Sequence, residues 1–230
     1  MEIFILDTNI FFNMEAGLSL GDKTEDVVVN LTKTILDLKK NKSASFFMPP
    51  KAVDEFLSFF PACRQAGEDK NQSFIKDFLS VVNVESPDLT KMSFSASVFY
   101  KFVDDARGRS YRGMNIAEEE IEKAASEFSG KKKESKKEFQ IAIGVFIKKF
   151  RERYRKATRT GFLDSVADLD LIVLAKQKDG FLVSTDEGVL HWGRTLGVKE
   201  MPASIFVKRL QSLLLSRQEQ GLIRNRQLYQ

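Results

Sequence analysis

The chain reads as an α/β fold with a central parallel sheet flanked by helices. Two observations predict it. Short apolar runs of strand length alternate with helical segments in βαβ order, and acidic residues stand at the carboxyl ends of those runs. The first run, Ile3-Phe4-Ile5-Leu6, has the length and residue types of a buried strand, placed here at Glu2–Leu6. After a polar loop, Thr24–Lys40 reads as a helix, with Asp22 and Glu25 spaced as a capping box. Ala44–Met48 reads as a second strand. Pro49-Pro50 then opens a short helix through Phe59, with Pro50 suited to its first turn. A helix over Gln72–Leu79 feeds a short strand at Val81–Val84. This order is the opening of a doubly wound sheet.

From about residue 88 to 158 the character changes to helices outside the main sheet. Ser93–Arg107 is expected to be helical, Gly108–Gly113 to break the helix, and Ile116–Phe128 to resume it before a turn at Ser129-Gly130. A second arm over Lys137–Thr158 carries Phe139, Ile143, Phe146, Ile147 and Phe150 as an apolar stripe at helical spacing. The segment therefore predicts an inserted, protruding helical hairpin. The βαβ pattern returns with helix Phe162–Gln177, strand Phe181–Ser184, helix Glu187–Leu196, a short strand at Val198 and a closing helix Ala203–Leu215. The expected division is one domain over residues 1–216 and a flexible tail over 217–230, which is polar and lacks periodicity.

Composition narrows the chemistry. Cys63 is the only cysteine and His191 the only histidine among 230 residues. These exclude an internal disulfide, a two-histidine acid/base ribonuclease mechanism, and a zinc site built on several Cys or His ligands. No apolar run reaches the roughly 18 residues of a membrane span, and the amino terminus lacks a secretion signal, so a cytoplasmic location without membrane contact is expected. Net charge is +4, but residues 131–160 hold twelve Lys or Arg against three Glu. That window alone carries 12 − 3 = +9, which leaves the rest of the chain net acidic. Such concentration reads as a phosphate-binding face. Its members are Lys131, Lys132 and Lys133 at the hairpin tip, then Arg151, Arg153, Arg155, Lys156 and Arg159. Arg151 and Arg155 are i,i+4 neighbours that could clasp phosphates bidentately. Phe99, Tyr100, Phe102, Phe139 and Phe146 read as packing or oligomer contacts rather than base-stacking platforms. His191 and Trp192 read as surface residues of their helix.

Four aspartates are the candidate catalytic and metal-ligating residues. Asp7 closes the first strand and Asp186 follows the strand Phe181–Ser184. Asp164 and Asp168 open one helix a turn apart, with carboxylates on one face that continues through Leu171, Ile172 and Ala175. Asp170 points elsewhere on that helix. Glu55, early in the helix after strand two, is a further metal-ligand candidate at the same edge. Each acid also has a local explanation as a turn residue or helix cap. Four of them at one sheet edge, where open parallel sheets bind ligands, argue instead for a shared cation. Paired carboxylates about 4 Å apart repel by about 1 kcal/mol in water and about 4 at an intermediate dielectric. Mg²⁺, with Mn²⁺ as the alternative, is the natural occupant.

The acids in these contexts resemble a PIN-type nuclease, with Leu6-Asp7-Thr8-Asn9 as its opening motif, Glu55 at the second acid and Asp186 at the last. More specifically, Gly161-Phe162-Leu163-Asp164-Ser165-Val166-Ala167-Asp168-Leu169-Asp170 after a helical insertion is similar to HARP, the minimal protein-only ribonuclease P family. So are Val183–Val189 and Val198–Ala203. The resemblance covers nearly the whole chain except its tail. It implies metal-dependent removal of the 5′ leader from precursor tRNA, leaving a 5′-phosphate on the mature tRNA. It also implies assembly into a large homo-oligomer through the hairpin, and active-site roles for Asp7, Asp164, Asp168 and Asp186. The rival readings are a PIN-type toxin ribonuclease acting on another RNA and a non-catalytic RNA-binding scaffold.

Overall fold

The first strand, β1 (Glu2–Leu6), lies at the centre of five parallel strands. Phe4, Ile5 and Leu6 are wholly buried, so this run has no wet face and belongs between two covered layers. On one side it pairs with β2 (Ala44–Met48), in register from Glu2↔Ala44 to Ile5↔Phe47. On the other it pairs with β4 (Phe181–Ser184), from Phe4↔Phe181 to Leu6↔Val183. The short β3 (Asn83–Val84) and β5 (Lys199–Pro202) flank these, giving the order β3-β2-β1-β4-β5. The chain winds outward one way through β2 and β3 and the other way through β4 and β5. The carboxyl ends of β1 and β4 therefore bound the crevice where such sheets take ligands.

A computed structural model of the chain describes residues 1–12, 20–60, 73–130, 135–159, 163 and 165–227. They form two compact units, one of residues Met1–Ser93 with Ser165–Gln230, the other of Phe94–Asp164. In the first unit, α1 (Thr24–Lys40), α2 (Pro50–Ser58), α3 (Ser73–Val81), α6 (Val166–Lys178), α7 (Glu187–Thr195) and α8 (Ala203–Gln227) accompany the sheet. Aromatic rings knit its centre. Phe4 stacks on Phe46 and Phe181 from the adjacent strands, with centroids 5.4 and 5.8 Å away, and meets the edge of Phe206 from α8 at 5.3 Å. Leu171 to Ala175 of α6 are all buried, so this helix is apolar around its whole middle turn.

The second unit is a helical hairpin of α4 (Ala96–Phe128) and α5 (Lys136–Arg159). The expected stripe on α5 does meet α4. Ile143, Phe146, Ile147 and Phe150 line an apolar groove of about 180 Å³ with Ala117 and Ala124. The rings of Phe139 and Phe146 lie 5.3 and 6.1 Å from that of Phe128. Arg153 donates from Nη1 to Glu120 Oε1 and from Nη2 to Glu119 Oε2, both at 2.6 Å. These bonds hold both carboxyls below the ordinary carboxylate range.

Several sequence expectations give way here. α4 runs unbroken through Gly108 and Gly113, because Gly113 serves contact rather than termination. A Cβ there would stand 2.6 Å from Cε2 of Tyr154 on α5. The Asp22/Glu25 capping box does not form. Lys23 is the N-cap without a side-chain bond, and the frame shift moves Glu25 one position too early. α6 begins at Val166 behind the N-cap Ser165, whose hydroxyl accepts from the amides of Ala167 and Asp168. Asp164 thus precedes the helix it was expected to open. α8 extends to Gln227 rather than ending at Leu215, so most of the expected tail is helical, and residues 228–230 lie outside the described residues. Trp192 is a core residue, 2 % exposed, not a surface one.

Gly108 and Gly113 offer a paired test. Alanine at either should gain up to about 1 kcal/mol of helix propensity. At position 108 only the tip of Arg112 stands near the new methyl, 3.4 Å away, so Gly108→Ala should slow amide exchange across α4. At position 113 the Tyr154 ring must move aside, so Gly113→Ala should cancel or reverse that gain.

Candidate active site at the carboxyl edge of the sheet

Asp7 is the residue on which the edge converges. The amide of Asp7 donates to Val183 O at 3.0 Å, extending the β1–β4 ladder by one bond and carrying the side chain to the end of both strands. Only 3 % of Asp7 is exposed. Its Oδ2 accepts a 2.5 Å hydrogen bond from Ser184 Oγ, and its Oδ1 a long one of 3.4 Å from the Asn9 amide. Ser184 spends its hydroxyl completely. It donates to Asp7 and accepts from the Asp186 amide at 2.9 Å and from Asn9 Nδ2 at 3.4 Å. Asn9 closes the stitch, with Oδ1 accepting from the Thr185 amide at 3.0 Å. Thr8, beside them, bonds the Ala52 carbonyl of α2 at 3.0 Å and so ties the same turn to the helix bearing Glu55.

Asp186 is both cap and cleft residue. Its Oδ1 accepts from the amides of Gly188 and Val189 at 2.7 and 3.1 Å, which seats the first turn of α7. The local role expected for it is real, and it occupies one oxygen of the carboxylate. Asp186, Glu55, Asn9 and Thr185 line an open cleft of about 440 Å³, joined there by Phe12 and Phe59. Burial is the main reason that the Asp7 carboxyl titrates at about 6, above its ordinary 3.8. The bonds from Ser184 and Asn9 oppose the rise, while the charges of Glu55 and Asp186 add to it.

Asp168 lies half-buried in the first turn of α6, and Asp164 lies outside the described residues. Asp170 is buried and engaged by Lys51 of α2 at 2.8 Å, a tie between two helices. Among the described residues, no three His, Cys, Asp or Glu side chains gather as a ready metal cage. The donor chemistry nevertheless fits a hard cation. The cleft offers carboxylate and amide oxygens without sulfur or imidazole, and next to its Asn9 lies the buried Asp7 carboxylate, which no cation pairs among the described residues. Of the expected basic residues, Arg151, Arg155 and Lys156 are exposed on α5. The Arg153 guanidinium is already bound by two glutamates, so it acts as a strut of the hairpin rather than as an open phosphate contact. Lys131, Lys132 and Lys133 and the side chain of Arg159 fall outside the described residues.

Sequence reasoning passed over Ser184, Phe12 and Phe59. A serine two positions before Asp186 looks like any strand-end turn. Only the pairing of β4 with β1 reveals that it faces Asp7, across 177 residues.

This doubly wound sheet with acids at its switch point defines a PIN-type nuclease domain, and the family model for the PINc domain ribonuclease matches residues 3–215. The RNA-free ribonuclease P of Alkalilimnicola ehrlichii is 33 % identical over 213 residues, covering 93 % of this chain and 98 % of that protein. The protein of the same name from Pyrococcus horikoshii is 30 % identical over 213 residues, covering 92 % of each chain. The chain belongs to the RNA-free ribonuclease P family of PIN-domain ribonucleases. Nucleases of the PIN class use divalent metal ions. No described helix is long and apolar enough to cross a membrane.

The raised Asp7 pKa has a definite thermodynamic sign. The unfolded chain releases this proton near pH 4 and the folded chain near pH 6, so over that window the unfolded state binds fewer protons. Stability in chelator should therefore fall as pH rises from about 4 to about 6, by on the order of 3 kcal/mol from this residue. Asp7→Asn should remove that loss. It should be more stable than the parent at pH 8 and nearly equal at pH 4, read from urea denaturation midpoints.

Proposed function

We propose that the chain is an RNA-free ribonuclease P, a metal-dependent endoribonuclease that removes the 5′ leader from precursor tRNA. One observation carries the reading: a buried Asp7 carboxylate, paired with no cation among the described residues, shares the sheet edge with Asp186 and Glu55 in a member of this family. Asp7, Asp186 and Glu55, with Asp164 and Asp168, would hold Mg²⁺ or Mn²⁺. Bound there, the metal would lower the pKa of the attacking water and stabilise the leaving 3′ oxygen. The chain's own part is to fix the oxygens. Ser184 and Asn9 orient Asp7, and the amides of Gly188 and Val189 orient Asp186, leaving one oxygen of Asp186 for the cleft. Arg151 and Arg155, one turn apart and exposed, supply phosphate contacts that read the folded tRNA by shape and backbone rather than base identity. Exposed Phe99, Tyr100, Ile121, Ile141 and Val145 on the hairpin support self-association into a large homo-oligomer.

Incubation with precursor tRNA should yield a mature tRNA with a 5′-phosphate and a leader ending in a 3′-hydroxyl, and chelation should stop the reaction. Cyclic phosphate ends would overturn the proposal. Degradation of total RNA without accurate leader removal would point to a toxin-like nuclease. Asp7→Asn should cut turnover more than about 100-fold, beyond the cost of losing an outer partner of a metal ligand, while RNA binding persists. Full activity in that variant would favour a scaffold.

Ser184→Ala tests the orienting bond by itself. Its loss should cost about 10- to 100-fold. The same bond lowers the Asp7 pKa, so the acidic limb of the pH–rate profile should move to higher pH. A uniform loss of rate with an unmoved profile would assign Ser184 a purely structural role.

A further inference from the structure

The cleft that holds Glu55 and Asp186 also holds two phenylalanines, and their placement is not explained by packing alone. Phe59 is 51 % exposed, yet its ring stacks on Phe12 with centroids 3.9 Å apart and planes at 26°. One face of Phe59 is thus taken by Phe12. Behind them an aromatic series runs into the core. Phe12 lies 6.2 Å from Phe56, Phe56 lies 5.1 Å from Phe11, and Phe11 lies 5.1 Å from Phe78; the last three rings are wholly buried. Phe59 is the outermost ring of a column whose innermost members, Phe56, Phe11 and Phe78, are packed in the core.

Its position follows from α2. Phe59 is the C-cap of that helix and keeps helical torsion angles, so it sits one turn beyond Glu55 on the same face. A carboxylate and a flat apolar ring therefore enter one cleft side by side, with Asn9, Thr185 and Asp186 completing its lining. The lining is thus mixed, with a half-exposed benzyl group beside carboxylate and amide oxygens, and in water that ring's open face has no partner among these polar groups. A nucleic acid supplies one, because every base offers a π-face, and unpaired bases stack on aromatic side chains.

We propose that Phe59, backed by Phe12, is the stacking platform for the unpaired leader nucleotide adjoining the scissile phosphate. This rests on the leader-cleavage reading above. The base on the mature side belongs to the paired acceptor stem and already has stacking partners. The base on the leader side is single-stranded, so it has a face to give. Stacking on a rigid ring would hold the sugar-phosphate of that nucleotide against the acidic side of the cleft. Phe59 is a substrate-positioning residue.

The test uses the full-length protein and precursor tRNA whose leader nucleotide next to the cleavage point is either normal or abasic. Loss of one stacked base corresponds to about 5- to 150-fold. Phe59→Leu, which keeps an apolar contact with Phe12 but removes the flat face, should lower kcat/KM by about tenfold or more on the normal substrate. The abasic substrate should cost the wild-type protein a similar factor and Phe59→Leu almost nothing further. Phe59→Trp should restore cleavage of the normal substrate. With Asp7→Asn blocking turnover, 2-aminopurine at the same leader position should be quenched on binding, and Phe59→Leu should abolish the quench. Equal abasic penalties in wild type and Phe59→Leu, or an unchanged kcat/KM in that variant, would overturn the platform while leaving leader cleavage intact. A wild-type protein that does not cut the unmodified substrate overturns the leader-cleavage reading, and the platform with it.

Discussion

A carboxylate held out of water at the end of the central strand is the constraint around which the catalytic unit is organised. Among the described residues Asp7 has a single charge-assisted bond of good length, from Ser184, and one long bond from a backbone amide. Burial and two neighbouring acids oppose its ionisation. A fold selected only for stability would place an apolar or amide group there. The adjoining residues make sense as support for that one oxygen pair. Ser184 donates its proton to it while accepting from the Asp186 amide and the Asn9 side chain, Asn9 spans β1 to the β4 turn, and Thr8 ties the turn to α2. The sheet edge accepts a local instability, a common arrangement at catalytic sites.

The two units divide the chemical labour along the chain. The sheet unit carries the described acids and the aromatic core. The hairpin carries the basic run of residues 131–160, yet its cohesion comes from an apolar groove and from one arginine that pairs with two glutamates. A run of basic residues is therefore not uniform. Arg153 is committed within the hairpin, whereas Arg151 and Arg155, two positions to either side, are exposed. Two positions along a helix amount to about 200° of rotation, enough to turn one guanidinium inward and its neighbours outward.

The strands, the hairpin and most helices were legible because their signals are local. Buried parallel strands must be short apolar runs, and the stripe on α5 must recur at helical spacing. The errors are equally instructive. Gly108 and Gly113 look like a helix break, and only the Tyr154 ring explains why one glycine is needed inside a continuous helix. Asp164 and Asp168 look like a one-turn pair, but the Ser165 cap starts α6 after Asp164, because a serine hydroxyl in reach of two amides outweighs spacing arguments.

By itself the amino-acid order determined which chemistry the protein could host. With one cysteine and one histidine, hydrolysis had to rest on carboxylates, and strand-end aspartates marked where those would stand. What tertiary structure decided was which side chains act together. Ser184 reaches Asp7 only because β4 pairs beside β1, and Phe59 enters the cleft with Glu55 and Asp186 only because α2 packs beyond the same edge. Residue type and local period are written in neighbouring positions. Contact between residues some 170 positions apart depends on strand order, which no local pattern encodes.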